Sequence, residues 1–482
     1  MSWSDEFDFV IVGSGAAGAS AARVLADTGA SLAILEEGPA VTSDEFGDRA
    51  FPAFRRLYRD MGAQVARGRT VIPILQGSCL GGSTVINSGI SWRMPEEVWA
   101  DWRDTFGLGA ALPLAELHRH WDRIEDELGV SPTPEAVWGR NNRLMDDARR
   151  ARGLAGGPMR RSVVGCLGTA RCQLGCASGS KQSMLVTYLP YARERGAVIR
   201  PGARVDRILW SGDRAVGVQG RGFTVTARRA VIVAASAIQT PTLLARSGVR
   251  SRHLGLHLQG HPGTPLIGVF DDEVNMWSGA TQGYEIDAYR QAGRFKVETV
   301  SLPPETFLAT LPGVGGSWVA AMAQASRAAS WAVALRAYAH GEVREGRFGR
   351  TIRFDPETRD IENLRRALRI TAELLFLAGA REVITGVHGL PERITSADQA
   401  RLFEDGPLDP AAYLFSMSHL FGTARMSVRP AEGVVGPDFG VHGVRGLYVV
   451  DSSVFPTNLG VNPQLTIMAI AMHAAERIAA AA

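Results

Sequence analysis

Three glycines and a glutamate near the start of this 482-residue chain have the types and spacing to hold a diphosphate. The run Asp8-Phe9-Val10-Ile11-Val12-Gly13-Ser14-Gly15-Ala16-Ala17-Gly18 carries an apolar strand into the pattern G-x-G-x-x-G. Gly13 permits a tight turn, Gly15 lets the backbone approach a pyrophosphate, and Gly18 lets the following helix pack on the strand. That helix, predicted over residues 16–27, offers phosphates its unpaired N–H groups and the positive end of its dipole, beside Ser14, Ala16 and Ala17. A second apolar strand, over residues 31–35, stops at Glu36-Glu37, where a carboxylate accepts from ribose hydroxyls. The chemistry is dinucleotide binding, and this unit alone does not choose between a nicotinamide and a flavin.

The other end of the chain answers the first. Gly446-Leu447-Tyr448-Val449-Val450-Asp451-Ser452-Ser453 reads as a strand and a polar loop, and Val461-Asn462-Pro463-Gln464-Leu465-Thr466 opens a new helix. Between them, residues 77–89 are rich in glycine and small residues, so that backbone can lie close to a flat ring or a diphosphate. Residues 224–234 read as a strand pair that delivers its end to Ala235-Ser236-Ala237, as strands do where open α/β sheets bind ligands. Residues 265–430 mix strand-like stretches (266–270, 295–300, 351–354) with helices predicted over 319–338 and 361–377, the texture of a second domain. The uncharged stretch 306–326 is broken by Pro312, Gly313, Gly315 and Gly316, too interrupted to span a membrane. It reads as a buried lid or channel wall, with shallow contact to a membrane surface as the alternative.

Composition narrows the class. Hydrophobic residues are 45% and the net charge is +3 from 52 basic and 49 acidic residues, with arginine doublets scattered and no basic tract to meet nucleic acid. The acidic start carries no signal sequence, which predicts a cytoplasmic protein. Cys79, Cys166, Cys172 and Cys176 lack a zinc-site spacing and are expected as reduced, structural thiols without a metal, with a local disulfide among the last three as the alternative.

Five segments, in chain order, resemble those of the glucose–methanol–choline (GMC) oxidoreductases, a family of FAD enzymes. They are Gly13 through Gly18; Leu80-Gly81-Gly82-Ser83 through Asn87; Ala234 through Pro241; Ser418-His419-Leu420-Phe421-Gly422-Thr423-Ala424-Arg425-Met426; and Asp451 through Thr466. The resemblance spans essentially the whole chain. It implies an α/β and α+β architecture: a discontinuous Rossmann-like FAD-binding domain from 1–100, 160–264 and 432–482. A substrate domain from 101–159 and 265–431 would be built on a mostly antiparallel sheet covered by helices.

The resemblance also implies roles. Gly13, Ser14, Gly15, Ala16, Ala17 and Gly18 would bind the pyrophosphate, and Glu36 with Glu37 the adenosine ribose. Gly81, Gly82, Ser83 and Asn87 would approach the diphosphate and the isoalloxazine, Val205 the adenine edge, and Ala235 the cofactor turn. Asp451 and Ser452 would take the ribityl or diphosphate region, and Pro463 and Gln464 would start a helix facing the flavin pyrimidine. His419 matches the family's general base, taking the hydroxyl proton while hydride passes to flavin N5. Asn462, also beside the cofactor, would hold the alcohol oxygen. The other histidines, among them His118, His261, His340 and His388, receive no role. Ile86 stands where some members join a histidine to the flavin, so the FAD is expected to be non-covalent. The segment Cys172 through Ser183, followed by Thr187-Tyr188-Leu189, looks like the branch that oxidises sterols and long-chain alcohols. A lipophilic or aromatic alcohol is therefore the expected substrate, with O2 or a separate electron acceptor. A sugar or polyol, or a lyase or light-driven decarboxylase on the same fold, are the alternatives.

Overall fold

A computed structural model describes residues 3–347 and 349–481; Met1, Ser2 and Ala482, within the expected domain limits, lie outside the described residues, as does residue 348. The first sheet is built around Trp3–Val12, whose residues Phe9, Val10 and Ile11 are fully buried, as a parallel strand covered on both faces requires. It pairs in parallel with Leu32–Leu35 on one side and Phe223–Val233 on the other, and Val198–Arg200 extends the parallel edge. Phe223–Val233 is one continuous strand, not the pair predicted over 224–234. Trp3–Val12 runs along its length on one side, while Arg214–Gly220 pairs antiparallel with its beginning and Leu447–Val449 parallel with its end. Val205–Ser211 completes this seven-stranded sheet.

The second sheet has eight strands, in the order Arg393–Ile394, Glu382–Ile384, Gln259–Val269, Ala328–Leu335, Phe295–Thr299, Tyr284–Ile286 and Gly156–Pro158, with Ser416–Phe421 beside Gln259–Val269. Every pairing in it is antiparallel. The helices Arg140–Arg152 and Thr358–Leu377 cover it with Leu144, Met145, Leu364, Leu368 and Leu375. Residues 101–159 divide between the two cores: Leu114–Glu127 packs on the C-terminal helix Gln464–Ala481, behind the first sheet.

The helix predicted over 319–338 is replaced by a short helix, Gly316–Met322, and the strand Ala328–Leu335. Its alanines favour helix locally. Trp331, Val333 and Leu335, however, alternate on one face between Gln259–Val269 and Phe295–Thr299, and packing in a central strand overrides that weak preference. The uncharged 306–326 stretch is likewise split. Thr306 and Thr310 line a cavity and Phe307 is fully buried, but Val314 is 86% exposed. No helix among the described residues is long and apolar enough to cross a membrane.

Glycine sets how closely the first helix, Ala16–Leu25, can sit on the sheet. A Cβ on Gly18 would lie 2.0 Å from the Gly13 carbonyl oxygen, and one on Gly13, whose φ is +101°, would lie 2.4 Å from the Ala234 oxygen. Both obstacles are backbone, so neither can move aside. Gly18→Ala is therefore expected to destabilise the protein by about 1–3 kcal/mol or more, seen as a lowered denaturation midpoint. An unchanged midpoint would mean that helix and strand are farther apart than these distances.

Candidate active site

The ends of Trp3–Val12, Leu32–Leu35 and Phe223–Val233 open into a cavity of about 780 Å³ that the second sheet closes from the other side. That is toward the upper end of the roughly 300–1,000 Å³ common for cofactor and ligand sites. Of the residues singled out in the sequence, Gly13, Ser14, Gly15, Ala16, Ala17, Glu36, Glu37, Gly82, Ser83, Asn87, Val205, Ala235, His419, Asp451, Ser452, Asn462, Pro463 and Gln464 all line it. Gly18 and Gly81 do not; they sit behind the two turns they support.

Those turns face each other. A Cβ on Gly82, whose φ is +56°, would come within 2.8 Å of the Gly15 Cα. Gly15 itself has nothing closer to its Cβ position than the Gly82 Cα at 3.9 Å, so its surface is open to the cavity. No side chain among the described residues caps the helix that follows, leaving its first N–H groups for a ligand. The Gly81 N–H donates to Ser14 Oγ at 3.0 Å, and that hydroxyl donates to Glu36 Oε2 at 2.7 Å. Glu36 also accepts from the Ser14 and Gly38 N–H groups at 3.1 and 2.9 Å. Its carboxylate, expected on a ribose, is thus largely engaged in holding the turn; burial pushes its pKa up while these donors pull it back. Glu37 pairs with Arg59.

Asp451 behaves alike. It accepts from the Ser236 N–H at 2.9 Å, the Thr240 hydroxyl at 2.5 Å and the Ser453 N–H at 2.8 Å, tying the ends of two neighbouring strands together. Ser236 has φ +85°, and the bond from its N–H to Asp451 helps to hold that left-handed turn. The second glycine turn is braced by Lys181, which donates to the carbonyls of Val85, Asn87 and Cys172 at 2.6, 2.6 and 2.8 Å. Burial lowers that ammonium to about 8. The four cysteines are free thiols.

The reactive end of the cavity joins both sheets. His419 lies on Ser416–Phe421, which pairs with Gln259–Val269 through an irregularity between Gly260 and Pro262. That irregularity turns His261 toward it, as bulges re-aim side chains. The two Nδ1 atoms are 3.2 Å apart, and the Gly460 N–H donates to His261 Nε2 at 2.9 Å. Neutral His261 therefore carries its proton on Nδ1 and donates to His419, whose own proton then rests on Nε2. Burial holds His419 down at about 4 and His261 well below its ordinary value, so both rings are neutral at pH 7. Asn462 reaches the same cavity from the last loop, with its Oδ1 2.6 Å from Lys296 Nζ.

Sequence reasoning passed over His261, Lys296, Glu298 and Glu285. Lys296 and Glu298 alternate with Phe295, Val297 and Thr299 on one strand, a pattern that ordinarily marks a solvent face; here all five residues are buried. His261 has no sequence motif around it and is found only through the strand pairing. A separate cluster, Glu116, His120 and His473, has ligand-type atoms within 4.8 Å of one another. The guanidinium of Arg119 already bonds Glu116 at 2.7 Å and contacts His120 at 3.1 Å, filling the cationic position.

Comparison with known proteins agrees with this geometry. The N-terminal model of the GMC oxidoreductases matches residues 7–263 and the C-terminal model residues 344–471. An uncharacterised GMC-type oxidoreductase of Mycobacterium tuberculosis is 37% identical over 98% of this chain and 76% of its own. The long-chain-alcohol oxidase FAO4A of Arabidopsis thaliana is 28% identical over 96% of this chain and 67% of its own. A solved variant of Aspergillus oryzae formate oxidase, a study of FAD modification, superposes with a TM-score of 0.74 at 18% identity, over 99% of this chain and 98% of that one. With its open glycine turns and an uncapped helix aimed into the cavity, the site fits the family's cofactor, FAD. The chain belongs to the GMC oxidoreductase family and is an FAD-dependent oxidoreductase.

Proposed function

We propose that the protein oxidises a lipophilic or aromatic alcohol, a CH–OH donor, with His419 and Asn462 on the alcohol oxygen. One observation carries this reading: both side chains line a cavity whose lining also includes the apolar Leu75, Val300, Leu302, Leu414 and Phe415. Some of the polar side chains that line it are bonded to one another, Ser88 to Gln282 at 2.7 Å and Gln282 to Glu298 at 2.8 Å. The long-chain-alcohol oxidase among the relatives supports the same class.

FAD, when bound, supplies the hydride acceptor. His419 takes the hydroxyl proton and the Asn462 amide donates to the same oxygen, fixing the carbon for transfer. The helix Gln464–Ala481 brings its positive end to the cavity, where it stabilises negative charge. The bonds around His261 set a condition on the proton step. Nε2 of His419 can accept only in the other tautomer, with Nδ1–H donating to His261 and the Gly460–His261 bond opened.

Anaerobic mixing with a medium- or long-chain primary alcohol should bleach the flavin band, and air admitted afterwards separates O2 from another acceptor. His419→Ala should slow this reduction by roughly 10²–10⁴. His419→Gln tests the proton step, because it keeps a donor but no base: it should be as slow as the alanine variant, and near-normal reduction would reduce His419 to a hydrogen-bond donor.

Reduction should be level from pH 8 to about 5 and fall as His419 protonates near about 4. A break at the ordinary histidine value would show a solvated ring. Gly15→Val should purify colourless, since a Cβ there meets nothing nearer than the Gly82 Cα at 3.9 Å and the branches beyond it crowd the expected pyrophosphate position. The parent's colour should leave with acid precipitation, as Ile86 offers no covalent attachment; retained colour would refute the non-covalent assignment.

A further inference from the structure

Lys296 lies in the middle of the antiparallel sheet and is 2% exposed. An ammonium has three protons and no acceptor. Around this one stand Glu285 Oε2 at 2.8 Å, Glu298 Oε1 at 2.7 Å and Asn462 Oδ1 at 2.6 Å. The acceptors are themselves anchored from outside. Trp92 Nε1 donates to both Glu285 oxygens at 3.0 and 3.2 Å, and Gln282 Nε2 donates to Glu298 Oε2 at 2.8 Å. Burial works against the ammonium, but the two carboxylates hold its pKa above the ordinary lysine value. The cluster thus favours the charged form of Lys296.

A lysine that can only donate can face only the oxygen of the Asn462 amide. Turning the amide over would set N–H against N–H at hydrogen-bond distance. The amide thus has one orientation, with its NH2 away from Lys296 and without a hydrogen-bond partner among the described residues, on a residue that lines the cavity. Burying an ion cluster adds little stability over apolar residues of the same volume. Its effect on Asn462 gives these residue types a reason.

We infer that Lys296 is a positioning residue for the reaction, pinning the Asn462 oxygen so that the amide presents N–H, and not its carbonyl, to the substrate oxygen. Glu285 and Glu298 act by holding Lys296 in place. The inference rests on the alcohol reading above and adds to it the residue that orients the donor.

The test is a double-mutant cycle on the FAD-loaded protein with two readouts. One is the limiting rate of anaerobic flavin reduction by a primary alcohol. The other is binding of a tertiary alcohol with the same number of carbons, which has no hydrogen to transfer, followed by the shift of the flavin spectrum. Lys296→Met should slow reduction tenfold or more, toward the roughly 10²–10³ of losing an oxyanion donor outright, and weaken tertiary-alcohol binding. Adding it to Asn462→Ala should cause no further loss in either readout, whereas Lys296→Gln, which keeps an N–H donor, should recover most of both. Losses that multiply, or a Lys296→Met protein equal to the parent, would overturn the inference. Should Lys296→Met not fold because two carboxylates are left unpaired, Lys296→Met combined with Glu285→Gln and Glu298→Gln carries the same cycle. A parent that binds the tertiary alcohol but is reduced by no alcohol refutes only the oxidation reading, and the binding cycle still decides the role of Lys296. A parent that does neither refutes both.

Discussion

Backbone pressed directly on backbone is the constraint from which the rest of the site follows. Gly18 rests on the Gly13 carbonyl, Gly13 on the end of Phe223–Val233, and Gly82 on Gly15, each at a separation that a single Cβ would prevent. These contacts bring the start of one helix, the ends of three parallel strands and a second glycine turn around one space. The Gly81–Ser14–Glu36 hydrogen bonds then lock the two turns to each other. A dinucleotide needs such a floor because its phosphates must reach N–H groups that any side chain would shield.

The two acidic residues expected at the cofactor are also tied into the chain. Glu36 and Asp451 each accept three hydrogen bonds from the chain, two of them from backbone N–H groups at turns. A buried carboxylate is tolerated only when its oxygens are so engaged. The effect is to stiffen the rim of the site at the points where strand ends give way to loops.

At the reactive end, the protein treats buried ionisable groups in opposite ways. Lys296 keeps its charge because two carboxylates stand within 2.8 Å of it. His419 loses its charge because burial outweighs the pull of Glu298, and His261 because burial and the basic groups around it act together; each ring meets the other's nitrogen in place of an anion. A charged donor and a neutral imidazole that can take a proton once its tautomer shifts are the two conditions for orienting and deprotonating one oxygen.

The residues local in sequence were legible from it. The glycine turns, the first helix, the strands Trp3–Val12 and Leu32–Leu35 and the start of the final helix follow from short-range patterns, because a turn, a strand and a helix start have periods and residue types of their own. His419 and Asn462 were reached through likeness of segments. The strand Ala328–Leu335 was misread because its alanines speak for helix until neighbours on both sides make it sheet. His261 and the Lys296 cluster could not be read at all. His261 meets His419 across 158 positions, and Lys296 meets Asn462 across 166. Sequence by itself determined which cofactor floor this chain builds, since that chemistry is written in adjacent residues. Only the tertiary structure decided which side chains orient and tune the reacting groups, because burial and pairing between distant strands, and not the residues' own types, set their charge and direction.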